Sequence, residues 1–354
     1  MSSAPLRVGI IGYGLAGASF HAPLVAVTPG LALAAIVTSD PERLERAQRN
    51  YPSSALLRSA DDLFTEKTID VAVIASPNRT HVSFARAALR AGKHVVIDKP
   101  AARTAAEVEG LIALAQQQQR VLTVYQNRRW DGDFQTVRQL LDQRLLGEVV
   151  SFESRFERYR PTLNQSAWRE QPDEIGGLLY DLGAHLIDQA LVLFGPVERV
   201  YAEVQARRPQ AKVDDDVFLS LVHRTGVRSR LHASVLARIL GPRFRIHGMQ
   251  GAFEKYGLDP QEDALRAGRR PDTPDWGKEG REAWGHLSTS VGGLAIDGEV
   301  ETLPGAYQRF YELLHAAITR GGPLPVDPQD AVASLRVIEA ARQSSEAGQV
   351  VHLK

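Results

Sequence analysis

The chain of 354 residues contains no cysteine. This absence excludes disulfide bonds, thiolate zinc sites and cysteine nucleophiles, and it is typical of proteins from a reducing compartment. An excess of charge of either sign is also missing, because 42 Lys and Arg residues balance 42 Asp and Glu residues. No overall field therefore attracts nucleic acid or an anionic membrane, and we expect neither as a partner.

Long apolar runs are missing as well. No run reaches the roughly 18 residues of a membrane span, and the N-terminal stretch MSSAPLRVGIIG lacks the layout of a signal peptide. These absences favour a cytoplasmic protein. The length and a hydrophobic fraction of 44% are sufficient for two globular domains, each with its own core.

A glycine-rich hexapeptide, GYGLAG at residues 12–17, follows a short apolar run at residues 6–11. Such a run is typical of a buried parallel strand, and a second run at residues 31–37 completes a βαβ unit. In this context the glycines allow a tight turn, close approach of a pyrophosphate and close packing of helix on strand. We therefore predict a dinucleotide site here, in preference to a glycine turn without a ligand.

The alternation of strands and helices continues through the first third of the chain. These elements are expected at residues 70–75, 80–91, 94–97, 107–119 and 121–124. This order predicts an α/β Rossmann domain over residues 1–122, with a doubly wound parallel sheet that binds its ligand at the carboxyl ends of the strands. The polar residues and glycine at these ends are Gly12, Ser76, Asn78, Lys99 and Gln126.

The end of the second strand discriminates between the two nicotinamide dinucleotides. An acid there binds the ribose of NAD, whereas NADP requires space and positive charge for its phosphate. Here Thr38 and Ser39 occupy the discriminating position, and Arg43 lies one turn into the next helix. Asp40, next to Pro41, is expected to cap that helix. The pattern favours NADP(H), with NAD(H) as the alternative if Asp40 points inward.

The sequence pattern changes after about residue 124, and we place a second domain over residues 123–354. Apolar and polar residues alternate at residues 150–157, 199–206 and 227–235, which is typical of half-buried antiparallel strands. We predict an α+β domain with a large, mainly antiparallel open sheet that binds substrate and mediates oligomerisation. An uncovered sheet face of mixed polarity favours a homodimer or homotetramer.

Further predictions for the second domain concern one loop and the ends of two helices. The polar segment at residues 257–285 is interpreted as a long surface loop. A helix at residues 310–320 is expected to end at Gly321, and Asp327 is expected to cap the last helix, which has Pro328 at its first position.

The helix GGLLYDLGAHLIDQ at residues 176–189 combines an apolar face with Asp181, His185 and Asp188 at positions i, i+4 and i+7. These three side chains share one stripe of a helix. Hydride transfer from an alcohol requires a base for the hydroxyl proton and a cation for the developing oxyanion. His185 can act as the base and Lys99 as the cation. Asp181 can orient the imidazole ring or bind a substrate hydroxyl.

Structural explanations compete with these roles. A metal site is not expected, because the pair Asp181 and His185 has no further His or carboxylate ligands at suitable spacing. His185 could instead be a hydrogen-bonded core histidine, and Asp188 a packing partner on its helix. His21, close to Pro23, could cap a helical turn that the proline interrupts.

Arg128 and Tyr159 are further candidates for substrate binding. Arg128 and Arg129 are expected to divide their roles, one facing the cleft and the other in a salt bridge. Tyr159, between Arg158 and Arg160, lies either at the substrate entrance or on a solvated strand end.

Several motifs together resemble one family. They are Asp98-Lys99-Pro100, the stretch from Gly176-Gly177 through Asp181, Gly183, His185 and Asp188, the pair Trp168-Arg169, and Ser76-Pro77-Asn78 with His81. The chain resembles the Gfo/Idh/MocA family of NAD(P)-dependent sugar and polyol oxidoreductases over essentially its whole length. The stretches FHAPL at residues 20–24 and NRRWD at residues 127–131 are similar to a bacterial subgroup that includes NADP-dependent scyllo-inositol dehydrogenases.

The resemblance implies Lys99, Asp181 and His185 as the catalytic set. The residues that it implies at the pyrophosphate are Gly12, Tyr13, Gly14 and Leu15. Those implied between adenosine and nicotinamide are Ser76, Pro77, Asn78 and His81, and those at the nicotinamide end are Asp98, Gln126 and Arg169. Asp98 stands where the family has Glu, so the resemblance does not decide which contact this residue makes with the cofactor.

The function implied by the resemblance is that of an NAD(P)-dependent dehydrogenase acting on a CH–OH group of a sugar, inositol or related polyol. Two other functions occur among proteins that resemble this family, a nucleotide-sensing regulator without catalysis and an NAD-dependent glycosidase. The presence of both Lys99 and His185 favours the dehydrogenase over the regulator.

Overall fold

The computed structural model describes residues 4–164 and 170–353. Contacts between Cα atoms divide the chain into two compact units. The first unit consists of Met1–Trp130, Gln261–Trp276 and Ala306–Val332, and the second of Asp131–Pro260, Gly277–Gly305 and Ala333–Lys354. The chain therefore passes between the units several times, whereas the sequence predicted one boundary between residues 122 and 123.

The first unit contains a parallel sheet of six strands in the order β3-β2-β1-β4-β5-β6. The strands are β1 (Leu6–Ile11), β2 (Leu31–Val37), β3 (Ala55–Leu57), β4 (Val71–Ile74), β5 (His94–Asp98) and β6 (Leu122–Tyr125). All residues of β4 and the last four residues of β1 are buried, since helices cover both faces of such a sheet. The predicted doubly wound Rossmann sheet is confirmed.

The second unit contains a sheet of nine strands in the order β14-β13-β12-β11-β7-β10-β9-β8-β15. The strands are β7 (Val149–Glu157), β8 (Val197–Gln205), β9 (Asp216–His223), β10 (Arg228–Ser234), β11 (Phe244–Gly248), β12 (Gly251–Lys255), β13 (Gly285–Val291), β14 (Leu294–Val300) and β15 (Val351–His352). All neighbouring strands are antiparallel except β7 and β10, which are parallel. The predicted large and mainly antiparallel sheet is confirmed.

The described residues form ten α-helices and several short helical turns of other types. The α-helices are α1 (Ala22–Val27), α2 (Pro41–Asn50), α3 (Ala60–Thr65), α4 (His81–Arg90), α5 (Ala105–Gln117), α6 (Gly132–Asp142), α7 (Ala184–Phe194), α8 (Gln261–Arg266), α9 (Gln308–Arg320) and α10 (Pro328–Ala347). Two π-helical turns, Ala16–His21 and Leu179–Gly183, lead directly into α1 and α7.

Local capping explains several helix ends. Thr104 and Glu107 form a capping box at the start of α5. Gly321, with φ of 66°, ends α9, and the Asp327 side chain accepts a hydrogen bond from the backbone of Gln329 at the start of α10. The expectations for both ends are confirmed. The short strand β3 was not predicted, because three residues carry too little periodicity to be recognised.

The segment at residues 257–285 is more than the surface loop that was predicted. It contains α8, and its side chains Leu265 and Trp276 are buried in the core of the first unit. The Gln261 side-chain oxygen accepts hydrogen bonds from the indole of Trp276 and from the backbone of Tyr307. The buried side chains of Leu265 and Trp276 therefore attach this segment to the core, and the polar composition of the segment did not indicate their burial.

An aromatic cluster anchors residues 306–332 in the first unit. The Phe310 ring is fully buried and packs edge-on against Tyr125 and Trp130, with ring centroids 4.9 and 5.8 Å away. Tyr311, the next residue of α9, is fully buried as well. Edge-to-face pairs at these separations stabilise a core beyond the area they bury. Helix α9 thus belongs to the same core as the end of β6.

The nine-stranded sheet has one buried and one open face. On the buried face, Phe152 packs against Phe194 of α7 and Phe244 of β11, at centroid distances of 5.2 and 5.8 Å. The open face carries ion pairs between neighbouring side chains, among them Arg230 with Glu153 at 3.1 Å. The helical stretch Pro172–Phe194 is long and apolar enough by composition to cross a membrane, but most of it is buried inside the unit.

We predict that Phe310→Ala lowers the free energy of unfolding by about 3–5 kcal/mol, because a fully buried ring leaves a cavity between its aromatic neighbours. Phe310→Leu, which leaves a smaller cavity, should cost less. Urea unfolding followed by fluorescence measures both changes. A Phe310→Ala variant as stable as the wild type would show that α9 does not contribute to this core.

Candidate active site

The glycine turn after β1 has the geometry of a phosphate-binding loop. Gly12 has φ of +100°, and a Cβ there would lie 2.5 Å from the carbonyl oxygen of Ala75 on the neighbouring strand. A Cβ on Gly17 would overlap the Gly12 carbonyl oxygen, so the helical turn can approach the strand only with glycine. A Cβ on Gly14, in contrast, would meet only the Arg43 guanidinium, at 3.8 Å. The turn therefore leaves open space at Gly14.

The residues between β2 and α2 lie close to this open space. Asp40 caps α2, because its carboxylate accepts a hydrogen bond from the backbone of Arg43 at 3.0 Å. The same carboxylate lies 3.5 Å from the Arg43 side chain, which is half-exposed. Thr38 is buried and Ser39 is exposed. The predicted capping by Asp40 is confirmed, and the hydrogen bond directs its carboxylate toward the first turn of α2.

Tyr13 and Leu15, which also belong to this turn, can contact a ligand only through their backbone or, for Leu15, through an exposed apolar side chain. The Tyr13 side chain is fully buried, and its backbone carbonyl accepts a hydrogen bond from Arg46 at 3.0 Å. The Arg46 guanidinium also lies 5.1 Å from the centre of the Tyr13 ring. Leu15 is exposed. Burial raises the pKa of Tyr13, opposed by Asn50 and Arg46, so its hydroxyl stays protonated at neutral pH.

The loop after β4 is tied to the loop after β5 by His81. One ring nitrogen of His81 contacts the carbonyl oxygen of Pro100 at 2.8 Å, and the other contacts that of Ser76 at 2.9 Å. Burial lowers the pKa of His81, although the charge of Asp98 and the two carbonyl oxygens act in the opposite direction. Its burial and its two contacts make His81 a bridge between the loops after β4 and β5. His81 is therefore placed to fix these loops from inside.

The neighbours of His81 in the β4 loop differ in exposure. Asn78 is buried and Pro77 is exposed, and the Ser76 hydroxyl lies 2.7 Å from that of Thr80. All of them directly follow β4, beside the glycine turn that follows β1. Strand order reverses between β1 and β4, and open α/β sheets bind their ligands at such a point.

Asp98 ends β5 and lies against the buried His21. Its Oδ1 accepts a hydrogen bond from the backbone of Lys99 at 2.8 Å, and its Oδ2 lies 3.8 Å from Nε2 of His21. Burial raises the pKa of Asp98, but His21 and the charges of His81 and Lys99 outweigh it, so the pKa is lowered. Asp98 is therefore a carboxylate at neutral pH.

His21 does not have the role that the sequence suggested. Its side chain makes no capping hydrogen bond with the helix, and its Nδ1 lies instead 2.6 Å from the hydroxyl of Tyr311. The capping that the sequence suggested as a structural role for His21 is therefore not made, and its Nδ1 contacts instead a hydroxyl 290 residues away in the sequence. Pro23 lies at the beginning of α1, just after the π-helical turn ends.

Gln126 and two arginines follow β6. Gln126 is buried, and within residues 4–164 and 170–353 its side-chain oxygen has no hydrogen-bond partner. Arg128 pairs with Glu262 at 2.6 Å, and Arg129 pairs with Asp330 at 2.9 Å. The prediction that only one arginine forms a salt bridge was wrong. Both acids come from segments that return to the first unit from far along the chain.

The helix with Asp181 and His185 does not begin as an α-helix. Residues Leu179–Gly183 form a π-helical turn that continues as α7. π-Helical turns are rare in proteins, and those that occur are often found at functional sites. Asp181 lies in this turn and is half-buried, whereas His185 and Asp188 are buried on α7. The predicted helix is therefore present, but its first turn, which carries Asp181, is π-helical and not α-helical.

The beginning of this helix depends on Gly177 and Asp214. The Asp214 carboxylate accepts a hydrogen bond from the backbone of Leu179 at 2.6 Å, and its backbone carbonyl accepts one from Leu178. Gly177 has φ of +98°, and a Cβ there would overlap the Asp214 carboxylate. Burial raises the pKa of Asp214, opposed by the Leu179 bond and the charge of Arg342. The second glycine of the motif thus makes room for the acid that caps the helix.

A buried arginine supports the same helix from the sheet. Arg243 donates a hydrogen bond to the side chain of Gln189 at 2.8 Å, one turn after His185. Its guanidinium lies 4.0 Å from the centre of the Phe156 ring, and that ring in turn packs edge-on against His185 at 6.4 Å. Cation–π and edge contacts of this kind are favourable when they are buried. His185 therefore has a rigid aromatic neighbour.

Two further predicted residues lie in the second unit. Tyr159 is exposed just after β7, and the Arg238 guanidinium covers its ring at 4.7 Å. Arg169 lies outside the described residues. Lys99 belongs to the first unit and Asp181 and His185 to the second, so the catalytic set as a whole stays a prediction.

Asp214 and Arg243 were missed in the sequence. Asp214 is one of three consecutive aspartates, and nothing in that run distinguishes the one that caps a helix 35 residues earlier. Arg243 lies in a segment with two further arginines nearby. Only Gly177 offered a signal, because a glycine directly before a helix can indicate a positive φ and a close neighbour.

The first unit fits a nicotinamide dinucleotide. The open space at Gly14 can receive a pyrophosphate, and the nearby Arg43 can receive a phosphate at the end of β2. The buried side-chain oxygen of Gln126 can accept a hydrogen bond from an amide such as that of nicotinamide. Within residues 4–164 and 170–353, no group of three or more His, Asp or Glu side chains could hold a metal ion.

We predict that Gly177→Ala destabilises the protein more than Gly257→Ala does. Both glycines have positive φ, but a Cβ on Gly257 has no neighbour within 4 Å. Gly257→Ala should therefore cost about 1 kcal/mol from its backbone conformation. Gly177→Ala should cost about 1–2 kcal/mol more, because Asp214 must leave the helix end. Equal losses in urea unfolding would contradict the capping role.

Both parts of the chain match known sequence profiles. Residues 6–126 match the profile described as "Oxidoreductase family, NAD-binding Rossmann fold", and residues 138–353 match "Oxidoreductase family, C-terminal alpha/beta domain". The chain is 37% identical to the scyllo-inositol 2-dehydrogenase (NADP(+)) IolW of Bacillus subtilis, over 99% of this chain and 96% of that protein. It is 40% identical to the oxidoreductase YdgJ of Escherichia coli, over 96% of each.

A solved structure agrees with this similarity. The oxidoreductase YPO2259 from Yersinia pestis is 39% identical and matches with a TM-score of 0.93, covering 100% of this chain and 99% of that chain. The parallel sheet with its glycine turn lies within the residues that match the first profile. The nine-stranded sheet lies within those that match the second. The chain therefore belongs to the Gfo/Idh/MocA oxidoreductase family and is an NAD(P)-dependent dehydrogenase.

Proposed function

We propose that this protein transfers hydride between NADP(H) and a secondary hydroxyl or ketone of a sugar, inositol or related polyol. The observation that carries this proposal is the arrangement at the strand ends of the first unit. There, the open phosphate-binding turn, the orphan oxygen of Gln126 and the Asp98–Lys99 pair follow β1, β6 and β5 of one parallel sheet. The relative IolW is named for scyllo-inositol and NADP(+), and it aligns with nearly the whole chain.

In this proposal, the backbone of Gly12–Gly14 holds the pyrophosphate and Arg43 the additional phosphate of NADP. When bound, the cofactor would accept a hydride from the substrate carbon. Lys99 stabilises the substrate oxygen as negative charge develops on it. His185 removes the hydroxyl proton, since an imidazole titrates near neutral pH. Asp181, one turn earlier, orients that ring or binds a neighbouring substrate hydroxyl.

Further residues belong to the proposal as substrate or cofactor contacts. Tyr159 is exposed and can contact a polyol, whereas Arg128 is engaged by Glu262 and would act on substrate only through that pair. Arg169 remains a proposed contact at the nicotinamide end. Self-association as a homodimer or homotetramer and a cytoplasmic location stay predictions.

We predict that Lys99→Met and His185→Asn each reduce kcat in a panel of inositols, aldoses and their keto forms. The expected loss is about 10²–10⁴-fold, because one variant removes the oxyanion contact and the other the base. NADPH binding, followed by fluorescence, should be retained in His185→Asn. Lys67→Met and His247→Asn, at exposed positions of the two units, serve as controls and should keep full activity. Turnover that survives both substitutions would exclude the assignment.

We also predict a preference for NADPH over NADH. An ion-paired phosphate contact with Arg43 contributes roughly 1.5–3 kcal/mol, which is about ten- to a hundredfold in affinity. Arg43→Ala should remove most of this preference and leave NADH unaffected. Arg49→Ala, near the other end of α2 and paired with Glu45, is the matched control. A wild-type enzyme with higher kcat/KM for NADH would show that Asp40, not Arg43, decides the cofactor.

A further inference from the structure

A buried histidine connects three elements of the first unit behind the predicted cofactor site. His21 ends the π-helical turn after the glycine loop, Asp98 ends β5, and Tyr311 lies on α9. His21 and Tyr311 are fully buried. The His21 ring also packs on Tyr125 with a centroid distance of 4.4 Å. A phenylalanine would make this aromatic packing equally well, so packing alone does not explain an imidazole here.

The hydrogen-bonding groups decide which ring nitrogen carries the proton. Burial and the charge of Asp98 raise the pKa of Tyr311 well above its usual value, so its hydroxyl is protonated and can donate to Nδ1 of His21. This leaves the proton on Nε2, which faces Oδ2 of Asp98 at 3.8 Å. The other tautomer would direct a nitrogen lone pair at a carboxylate, which is repulsive. The geometry therefore favours an N–H directed at Asp98.

The two oxygens of Asp98 then have different tasks. Oδ1 accepts the hydrogen bond from the backbone of Lys99, while Oδ2 faces His21. The separation of 3.8 Å exceeds a hydrogen bond, and among the described residues Nε2 of His21 has no hydrogen-bond partner, so its attraction to Oδ2 is electrostatic. This attraction and the hydrogen bond from Lys99 act on opposite oxygens of the same carboxylate and together limit its rotation. On the next residue, the carbonyl oxygen of Pro100 is held by His81. The two residues that flank Lys99 thus each face a buried histidine, Asp98 through its side chain and Pro100 through its backbone carbonyl.

We propose that His21, oriented by Tyr311, is a positioning residue that holds the Asp98 carboxylate and through it the backbone of Lys99. The inference rests on the proposed function, because it explains how the lysine that would stabilise the substrate oxygen is kept in place. His21 itself contacts neither substrate nor cofactor in this role. The titratable groups that face the Asp98 carboxyl among the described residues of the first unit are His21, His81, Lys99 and Tyr311.

The test compares His21→Phe with the wild type. The ring packing is kept, but the N–H toward Asp98 is lost, so the pKa of Asp98 should rise. Proton titration of the Asp98 carboxyl, followed by carbon-13 NMR of aspartate-labelled protein and assigned with Asp98→Asn, measures this change. At the same time kcat should fall on the order of ten- to a hundredfold while the KM for NADPH changes little, because a displaced Lys99 affects the reacting centre.

Two further variants keep the test decisive. Tyr311→Phe removes the hydroxyl that orients His21 and should shift the Asp98 titration in the same direction by less, so it replaces His21→Phe if that variant does not fold. His315→Phe is the matched control, since this histidine lies one turn later on α9, where its ring packs over Gly30. It should leave both the titration and kcat unchanged.

The outcomes separate this inference from the proposed function. An Asp98 titration that is the same in wild type and His21→Phe would overturn the positioning role, whatever the stability of the variant. Loss of kcat without a shift in that titration would also overturn it, because His21 would then act only through the fold. A shifted titration in an enzyme that oxidises no polyol would support the role of His21 and reject the proposed function, since the NMR measurement requires no turnover.

Discussion

Parallel strands direct all their carboxyl ends to one edge of a sheet, and the candidate cofactor site depends on this constraint. Gly12 follows β1, Ser76 follows β4, Asp98 ends β5, and Gln126 follows β6. These residues are up to 114 positions apart in the chain, from Gly12 to Gln126, yet neighbouring strands bring them to a common edge. The loops that follow can therefore be short, and each contributes one or two polar groups.

Close approach of backbones is the second requirement at this edge. Gly12 and Gly17 lie where any side chain would collide with a carbonyl oxygen of another segment, whereas Gly14 faces open space. The same principle recurs in the second unit, where Gly177 makes room for the carboxylate that caps the helix of Asp181. At Gly12 and Gly177, which have positive φ, alanine would be unfavourable both for its backbone conformation and for its volume, whereas at Gly17 only the volume of the side chain opposes it.

Buried polar side chains connect these edges to the cores behind them. His81 joins two loops of the first unit, and Arg243 joins α7 to the sheet of the second. Burial of such groups is costly unless they are hydrogen-bonded or paired. The mostly apolar helix with Asp181 and His185 is a core helix of its unit. Asp214 caps its first backbone N–H groups, and the Phe156 ring packs beside His185.

The sequence by itself determined the Rossmann sheet, the glycine turn, the mainly antiparallel second sheet and the caps at Asp40 and Asp327, because local periodicity and capping chemistry encode them. Only the tertiary structure decided the partners of His21, Arg128 and Arg129, the anchoring of residues 261–276, and the roles of Asp214 and Arg243. These depend on contacts between segments that are distant along the chain. Such contacts leave no periodic trace in a single sequence, since an arginine in a salt bridge and one at a binding site are the same residue until its neighbours are known.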